Sequence, residues 1–282
     1  MGRVAIVTDS ASDMPPARAA KTGVTVVPLI VSFGKESWKA GTELPLEEFY
    51  MRLLAPGAPF PTTAACSPGD FQATFKRLFA DGAEAVVCIT VGGKLSGTVR
   101  SAQIARDAMP DREIHVIDSE TAAASLMILA ELAAGAAAAG ASAAEIVDLV
   151  ERRKRDSRLY FVVDTLEYLK RGGRISAAQA AIGSVLMVKP IITIEDGVVE
   201  TVDKPRTGGR ARARLIELLT AKPVERLVVI HTRAPAIGAF ADDLSRATGI
   251  PMEQIETVLI GSSVAPHVGP GAYGAAILLR SG

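Results

Sequence analysis

Short apolar runs alternate with helical stretches along the first 120 residues, and this alternation is what most limits the folds available to the chain. The apolar runs predict strands at 4–8, 24–33, 85–90 and 114–118. Between the second and third of them, Ser67, Pro68 and Asp70 supply a capping hydroxyl, a first-turn proline and an early acid, which predict a helix from there to about Asp81. A second helix is predicted over 98–109. Strands that alternate with helices in this way favour a parallel sheet covered by helices.

A polar, charge-dense stretch at 151–157 separates this region from a second series of elements. There the pattern predicts helices at 165–171, 209–219 and 235–248, and strands at 159–163, 190–194, 198–202, 227–231, 255–260 and 275–279. The turn at Glu195-Asp196-Gly197 joins two of these strands directly, which indicates an antiparallel hairpin. A chain of 282 residues exceeds one ordinary core. We therefore predict two α/β domains, residues 1–157 and residues 158–282.

Charge and cysteine content argue against several classes of function. Basic and acidic residues number 31 each, so no global field attracts nucleic acid or an anionic membrane. Two cysteines are too few for a disulfide framework, and the N-terminal residues run straight into a strand pattern, which predicts a cytoplasmic protein. The apolar stretch 122–144 is mostly alanine and has no basic or aromatic anchors. It predicts two buried helices with a turn near Gly140 rather than a membrane span.

Polar residues follow three of the predicted strands, at Thr8-Asp9-Ser10, at 92–98 and at Asp118-Ser119. The carboxyl ends of parallel strands meet at one edge of a sheet, so hydroxyls and backbone amides should gather there. Such an edge suits a small anionic or hydrogen-bonding head group. The alternative is that these acids and serines only cap helices.

No catalytic motif has the spacing that its chemistry needs. Gly93 to Gly97 reads G-x-x-S-G rather than G-x-S-x-G, and Lys94 precedes leucine where a phosphate-binding loop needs Ser or Thr. The G-x-G-x-x-G at 269–274 leaves too little chain for the helix, strand and acid of a dinucleotide site. The three histidines are far apart, and no paired Cys or His spacing occurs. We predict no catalytic residue, no metal and no cofactor.

His267 differs from the other two histidines in its surroundings. It stands in a Pro- and Gly-rich loop at 265–271, where the backbone can approach a ligand closely, whereas His115 and His231 lie in apolar strands and are typical structural histidines. Two Arg- and Gly-rich turns, at 170–174 and 206–210, are either solvated surface charge or contacts for an anion or a partner.

Taken together, several motifs along the whole chain resemble the DegV family, whose members bind fatty acids. The motifs are Val7-Thr8-Asp9-Ser10, Pro61-Thr62-Thr63, Ser67-Pro68-Gly69-Asp70-Phe71, Lys94-Leu95-Ser96-Gly97-Thr98, the stretch 168–176, Lys189-Pro190 and His267-Val268-Gly269-Pro270-Gly271. The resemblance implies an N-terminal parallel α/β/α domain and a C-terminal α/β domain with a mixed sheet. The two would close over a buried acyl tunnel.

The resemblance also implies a function and a site. It assigns the head group of a long-chain fatty acid, such as palmitate, to a set of neighbouring positions: Thr63, Ser96, His267, Thr62 and Gly97. In some members the loaded protein is the acyl-presenting subunit of a fatty acid kinase, which implies an ATP-binding partner subunit near Arg174 and Arg206. The protein would then serve lipid transport or fatty acid metabolism without being an enzyme itself. The alternative is a stand-alone small-molecule kinase or hydrolase, since the fold is distantly similar to that of dihydroxyacetone kinases.

The chain departs from the family pattern in four places, one of which is the loop after Arg206, where glycines stand in place of the lysines of many relatives. Relatives commonly carry Thr-Ser-Gln-Pro where this chain has Thr63-Ala64-Ala65-Cys66, and Ser-Ser where it has Gly92-Gly93. Ser125 and Met127 stand where relatives usually carry glycines, which predicts a shortened or reshaped tunnel.

Overall fold

The strands and helices follow the predicted alternation in residues 3–175 and 188–280, the part of the chain that the computed structural model describes; Ser176, at the end of one motif, lies outside it. Before residue 157 the elements are β1 (Val4–Asp9), α1 (Pro16–Thr22), β2 (Thr25–Val27), β3 (Ile30–Phe33), β4 (Glu36–Lys39), α2 (Leu46–Leu54), β5 (Pro61–Ala64), α3 (Pro68–Ala80), β6 (Ala85–Thr90), α4 (Thr98–Asp107), β7 (Glu113–Asp118), α5 (Ala123–Ala138) and α6 (Ala143–Arg153). From residue 157 they are β8 (Ser157–Val162), α7 (Glu167–Arg171), β9 (Ile191–Glu195), β10 (Val198–Asp203), α8 (Gly208–Thr220), β11 (Val224–His231), α9 (Ile237–Thr248), β12 (Glu256–Leu259), α10 (Ala265–Val268) and β13 (Tyr273–Leu279).

The first sheet is parallel, as predicted, with strand order β2-β1-β6-β7. Helices α3 and α4 pack together against its strands, and so do α5 and α6. The predicted helix start at Ser67 is confirmed, because the Ser67 hydroxyl accepts a hydrogen bond from Asp70 N at 3.0 Å.

The single strand predicted over 24–33 is wrong. Pro28 has no N–H to donate, and the Leu29 N–H donates to the Ser10 hydroxyl rather than to a strand. The run therefore divides into β2, which joins the parallel sheet, and β3, which pairs antiparallel with β4 and β5 in a separate three-stranded sheet. This small sheet was not predicted.

The second sheet has six strands in the order β10-β9-β8-β13-β11-β12 and is mixed, as the family resemblance implies. Among the described strands of this sheet, only β11 and β12 pair in parallel, and the 195–197 turn joins β9 to β10 as an antiparallel hairpin. Alternate residues of β11 face opposite ways: Leu227 and Val229 pack under α8 and α9, while Val228 and Ile230 belong to the large core shared with the first sheet.

Helix α5 lies between the two sheets and packs on β1, β6, β8 and β13. Being surrounded explains its apolar composition, since almost every residue from Ala123 to Ala134 is buried. The chain turns at Gly140 (φ +88°), as predicted, although α6 buries only one face. No helix in residues 3–175 and 188–280 has the length and apolarity to span a membrane. The boundary between domains 1–157 and 158–282 stays a prediction, because one core crosses it.

The only charged residue of α5, Glu131, ties the two parts of the chain together. Its carboxylate accepts hydrogen bonds from Arg18 of α1 and Arg226 of β11, and Arg18 also pairs with Glu256 of β12. Two guanidinium groups therefore neutralise a carboxylate whose side chain is only 6% exposed.

Candidate functional site

A narrow apolar cavity lies where the end of the first sheet faces the second sheet. Its volume is about 70 Å³, below the usual range of ligand pockets, so a larger ligand must move its walls apart on binding. Both parts of the chain line it, with apolar side chains that include Leu29, Val91, Ala123, Phe161, Ile192 and Val199. Such walls suit a flexible apolar ligand.

Four of the predicted site residues, Thr63, Ser96, Arg174 and His267, line this cavity. Thr63 lies on β5, opposite Val31 of β3. Ser96 lies in the loop after β6, where its Oγ accepts a hydrogen bond from Thr98 N at 3.3 Å and lies 2.9 Å from Thr98 Oγ1. The fold brings these residues together from four separate segments of the chain.

His267 and Thr63 form a hydrogen bond of 2.9 Å between Nε2 and Oγ1 across 204 positions of sequence. Burial, aided by the positive charge of Arg174, lowers the pKa of His267 to about 4, so the ring is neutral at pH 7. Its Nδ1 is buried and has no hydrogen-bond partner in the described residues. An unpaired buried N–H costs more than an unpaired lone pair, so we infer that Nε2 carries the proton and donates to Thr63. The Thr63 hydroxyl then has its own hydrogen to donate into the cavity.

Arg174 brings a positive charge to the same place. It follows the Gly172-Gly173 break after α7, and its guanidinium donates to Leu95 O at 3.0 Å and to Gly172 O. Burial lowers its pKa, and no acidic side chain among the described residues pairs with it. A half-buried guanidinium bonded only to carbonyls has donors left for an anion.

The other three predicted residues do not line the cavity. Thr62 precedes Thr63 on β5 and is exposed, because successive side chains of a strand point to opposite faces. Gly97 is exposed at the N-terminal end of α4, and Arg206 is exposed in the segment before α8. Ser125 and Met127 are fully buried and do not line the cavity, and a tunnel reshaped by them stays a prediction.

The acids at the strand ends hold loops instead of facing the cavity. Asp9 accepts hydrogen bonds from Ala11 N at 2.9 Å and Val91 N at 2.7 Å, and burial raises its pKa to about 7. Asp118 accepts from Gly93 N at 3.0 Å. A Cβ at Gly93 would fall 2.6 Å from Asp118 Oδ2, so the glycine lets this carboxylate approach the loop closely. Asp9 caps the short 3-10 helix at Ser10–Ser12, as the alternative predicts, whereas Asp118 caps no helix in the described part of the chain. Both acids hold the loop that carries Ser96.

Two polar residues that line the cavity were missed. Thr193 stands inside an apolar strand and donates to Leu159 O at 2.8 Å, and no sequence signal distinguishes it. Ser263 comes shortly after the end of β12, so the same argument from polar residues at strand ends could have found it. Its Oγ lies 2.7 Å from Ser10 Oγ. Within residues 3–175 and 188–280, no group of three His, Cys, Asp or Glu side chains is arranged to hold a metal ion.

Comparison with known proteins gives one consistent result. The family model described as "Uncharacterised protein, DegV family" matches residues 3–280. A DegV domain-containing protein of Streptomyces coelicolor is 37% identical over 283 residues, covering 98% of this chain and 99% of the relative.

Solved structures agree over the full length. A fatty-acid-binding DegV family protein from Thermus thermophilus is 33% identical with a TM-score of 0.89, covering 99% of this chain and 100% of that one. A stearic-acid-binding protein from Eubacterium ventriosum is 27% identical with a TM-score of 0.89, covering 99% of this chain and 98% of that one. Sequence, fold and coverage therefore lead to one conclusion: this chain belongs to the DegV family.

Proposed function

We propose that the protein binds one long-chain fatty acid, with the alkyl chain in the apolar cavity and the carboxylate at Thr63, Ser96, His267 and Arg174. The observation that carries this proposal is the gathering of these polar groups in an otherwise apolar cavity. The similar proteins from Thermus thermophilus and Eubacterium ventriosum, described as binding fatty acid and stearic acid, support the same ligand class.

The alkyl chain and the carboxylate of the ligand contribute differently to binding. Each buried methylene contributes about 0.8 kcal/mol, so about fourteen give a gross term near ~11 kcal/mol before immobilisation costs are subtracted. Most of the affinity therefore comes from the alkyl chain. The head group supplies orientation, through the Thr63 and Ser96 hydroxyls and the charge of Arg174.

A carboxylate held mainly by hydroxyl groups stays open to reaction on its outer side. We propose that a separate ATP-binding subunit phosphorylates it there, and that Arg174 and the exposed Arg206 contact that subunit. In this account the protein itself is a cytoplasmic carrier in lipid transport or fatty acid metabolism and carries no catalytic residue. Steady ATP turnover by the purified chain alone would instead favour a stand-alone kinase.

Mass spectrometry of organic extracts tests the proposal. The wild type, purified under native conditions, should yield close to one equivalent of a C14 to C18 fatty acid, and the Ser96→Ala/Thr63→Ala double variant should yield far less. Thr62→Ala is the matched control, because Thr62 neighbours Thr63 but faces away from the cavity; its extract should resemble the wild type. A wild-type extract without lipid, together with no uptake of added palmitate or oleate, would refute the proposal.

A further inference from the structure

The segment from Tyr168 to Arg174 carries one of the four head-group residues and contacts the three other segments, which carry Thr63, Ser96 and His267. The Tyr168 ring lies 5.3 Å, centroid to centroid, from the ring of Phe60, three residues before Thr63. At the other end of the segment, Arg174 donates to the carbonyl of Leu95, beside Ser96. The third contact is with α10, the helix that carries His267.

The Tyr168 ring lies directly against the backbone of Gly269, two residues after His267. A Cβ at Gly269 would fall 2.4 Å from Tyr168 Cδ2 and 2.7 Å from Cε2, so no side chain fits between them. The same glycine has a positive φ of 75°. Its carbonyl accepts a hydrogen bond of 2.6 Å from the Thr232 hydroxyl. The C-terminal end of α10 is thus held by the ring of Tyr168 and by the hydroxyl of Thr232.

Gly172, the residue directly after α7, lies against the imidazole itself. A Cβ at Gly172 would fall 2.4 Å from His267 Nδ1 and 3.2 Å from Cε1. This contact covers the ring nitrogen opposite the one that meets Thr63, and it accounts for the buried, unpartnered Nδ1.

We propose that Tyr168 and Gly172 are positioning residues for His267: Tyr168 fixes the end of α10, and Gly172 provides the surface on which the imidazole rests with Nε2 at Thr63. The relevance of this arrangement to a fatty acid depends on the proposed function, but the arrangement itself does not. It explains why a short helix of four residues can hold a partly buried histidine in one orientation. It also agrees with the low pKa of His267, since both contacts exclude water from the ring. Arg174 is the charged group that acts on this imidazole.

Nitrogen-15 NMR of the His267 ring in the purified protein tests the proposal, since a general loss of stability would move neither the tautomer nor the pKa. The wild type should show one neutral tautomer, protonated at Nε2, and a pKa near about 4. In Tyr168→Ala we expect the pKa to rise by at least about one unit toward the ordinary histidine value, with loss of the single tautomer. Tyr168→Phe keeps the ring and should match the wild type.

Phe79→Ala is the matched control, because Phe79 is a half-buried aromatic residue remote from α10. It should leave His267 unchanged. Gly172→Ala should displace the imidazole and abolish the NMR signature of the Nε2 tautomer. If Tyr168→Ala fails to fold, the NMR result for Gly172→Ala tests the proposal without it. An unchanged tautomer and pKa in folded Tyr168→Ala or Gly172→Ala would overturn the proposal. Lipid extracted from the same samples reports separately on the proposed function, because the histidine signals need no bound ligand.

Discussion

Replacing His267 with glutamine should remove a specific loss of stability at acid pH. The folded state keeps His267 neutral down to about pH 4, whereas the unfolded chain protonates it near pH 6.5. Between these values protons bind preferentially to the unfolded state. Well above pH 6.5 His267 therefore has no pH-dependent effect on the free energy of unfolding, and as the pH falls below 6.5 it lowers that free energy progressively. A shift of about 2.5 pKa units corresponds to about 3 kcal/mol lost by about pH 4. Glutamine keeps an amide donor within reach of Thr63 but does not titrate.

Urea unfolding measures this change in stability. The wild type and His267→Gln are compared at matched lipid content and at several pH values from about 7.5 to about 4. Other buried acids, including Asp9 and Asp13, titrate alike in both proteins and cancel in the difference. The difference in unfolding free energy should move in favour of the variant by about 3 kcal/mol across this range. A difference that stays constant with pH would refute the neutral, buried imidazole and the Nε2 hydrogen bond inferred from it.

Three further predictions concern the core and the cavity. Glu131→Ala should lower the free energy of unfolding at pH 7 by about 3 kcal/mol, because it leaves Arg18 and Arg226 without their shared carboxylate; a urea midpoint close to that of the wild type would contradict this. Val199→Phe should shorten the extracted acyl chains by about two to three methylenes, because the larger ring fills part of the cavity; an unchanged length distribution by mass spectrometry would show that Val199 does not contact the chain. Arg174→Gln should weaken binding of a free fatty acid about tenfold or more while leaving its methyl ester little affected, and equal losses in calorimetric titrations with both would exclude a charge contact.

The sequence predicted those parts of the fold that local pattern determines. Apolar runs located β1, β6 and β7, the Ser67 cap located the start of α3, and the Gly197 turn located the β9–β10 hairpin. The prediction of one strand over 24–33 failed, because Pro28 has no N–H and ends the first strand, after which the chain enters another sheet. Local apolarity does not record which sheet a strand joins.

The candidate site was less accessible to sequence reasoning. Thr63 and His267 are 204 positions apart, and only the family resemblance placed them together. The strand-end argument led to the edge of the first sheet that borders the cavity, and its stretch 92–98 includes Ser96. Asp9 and Asp118 instead accept hydrogen bonds from backbone amides. Arg174 faces the cavity and Arg206 does not, although each lies within three residues of a Gly-Gly pair; that difference depends on tertiary packing.

A crystal structure of the protein with added palmitate tests the central claim most directly. The account predicts the carboxylate within hydrogen-bond distance of Thr63 Oγ1 and Ser96 Oγ, with the alkyl chain running between Phe161, Ile192 and Val199. Palmitate bound elsewhere, or bound with its alkyl end at Thr63 and Ser96, would contradict it.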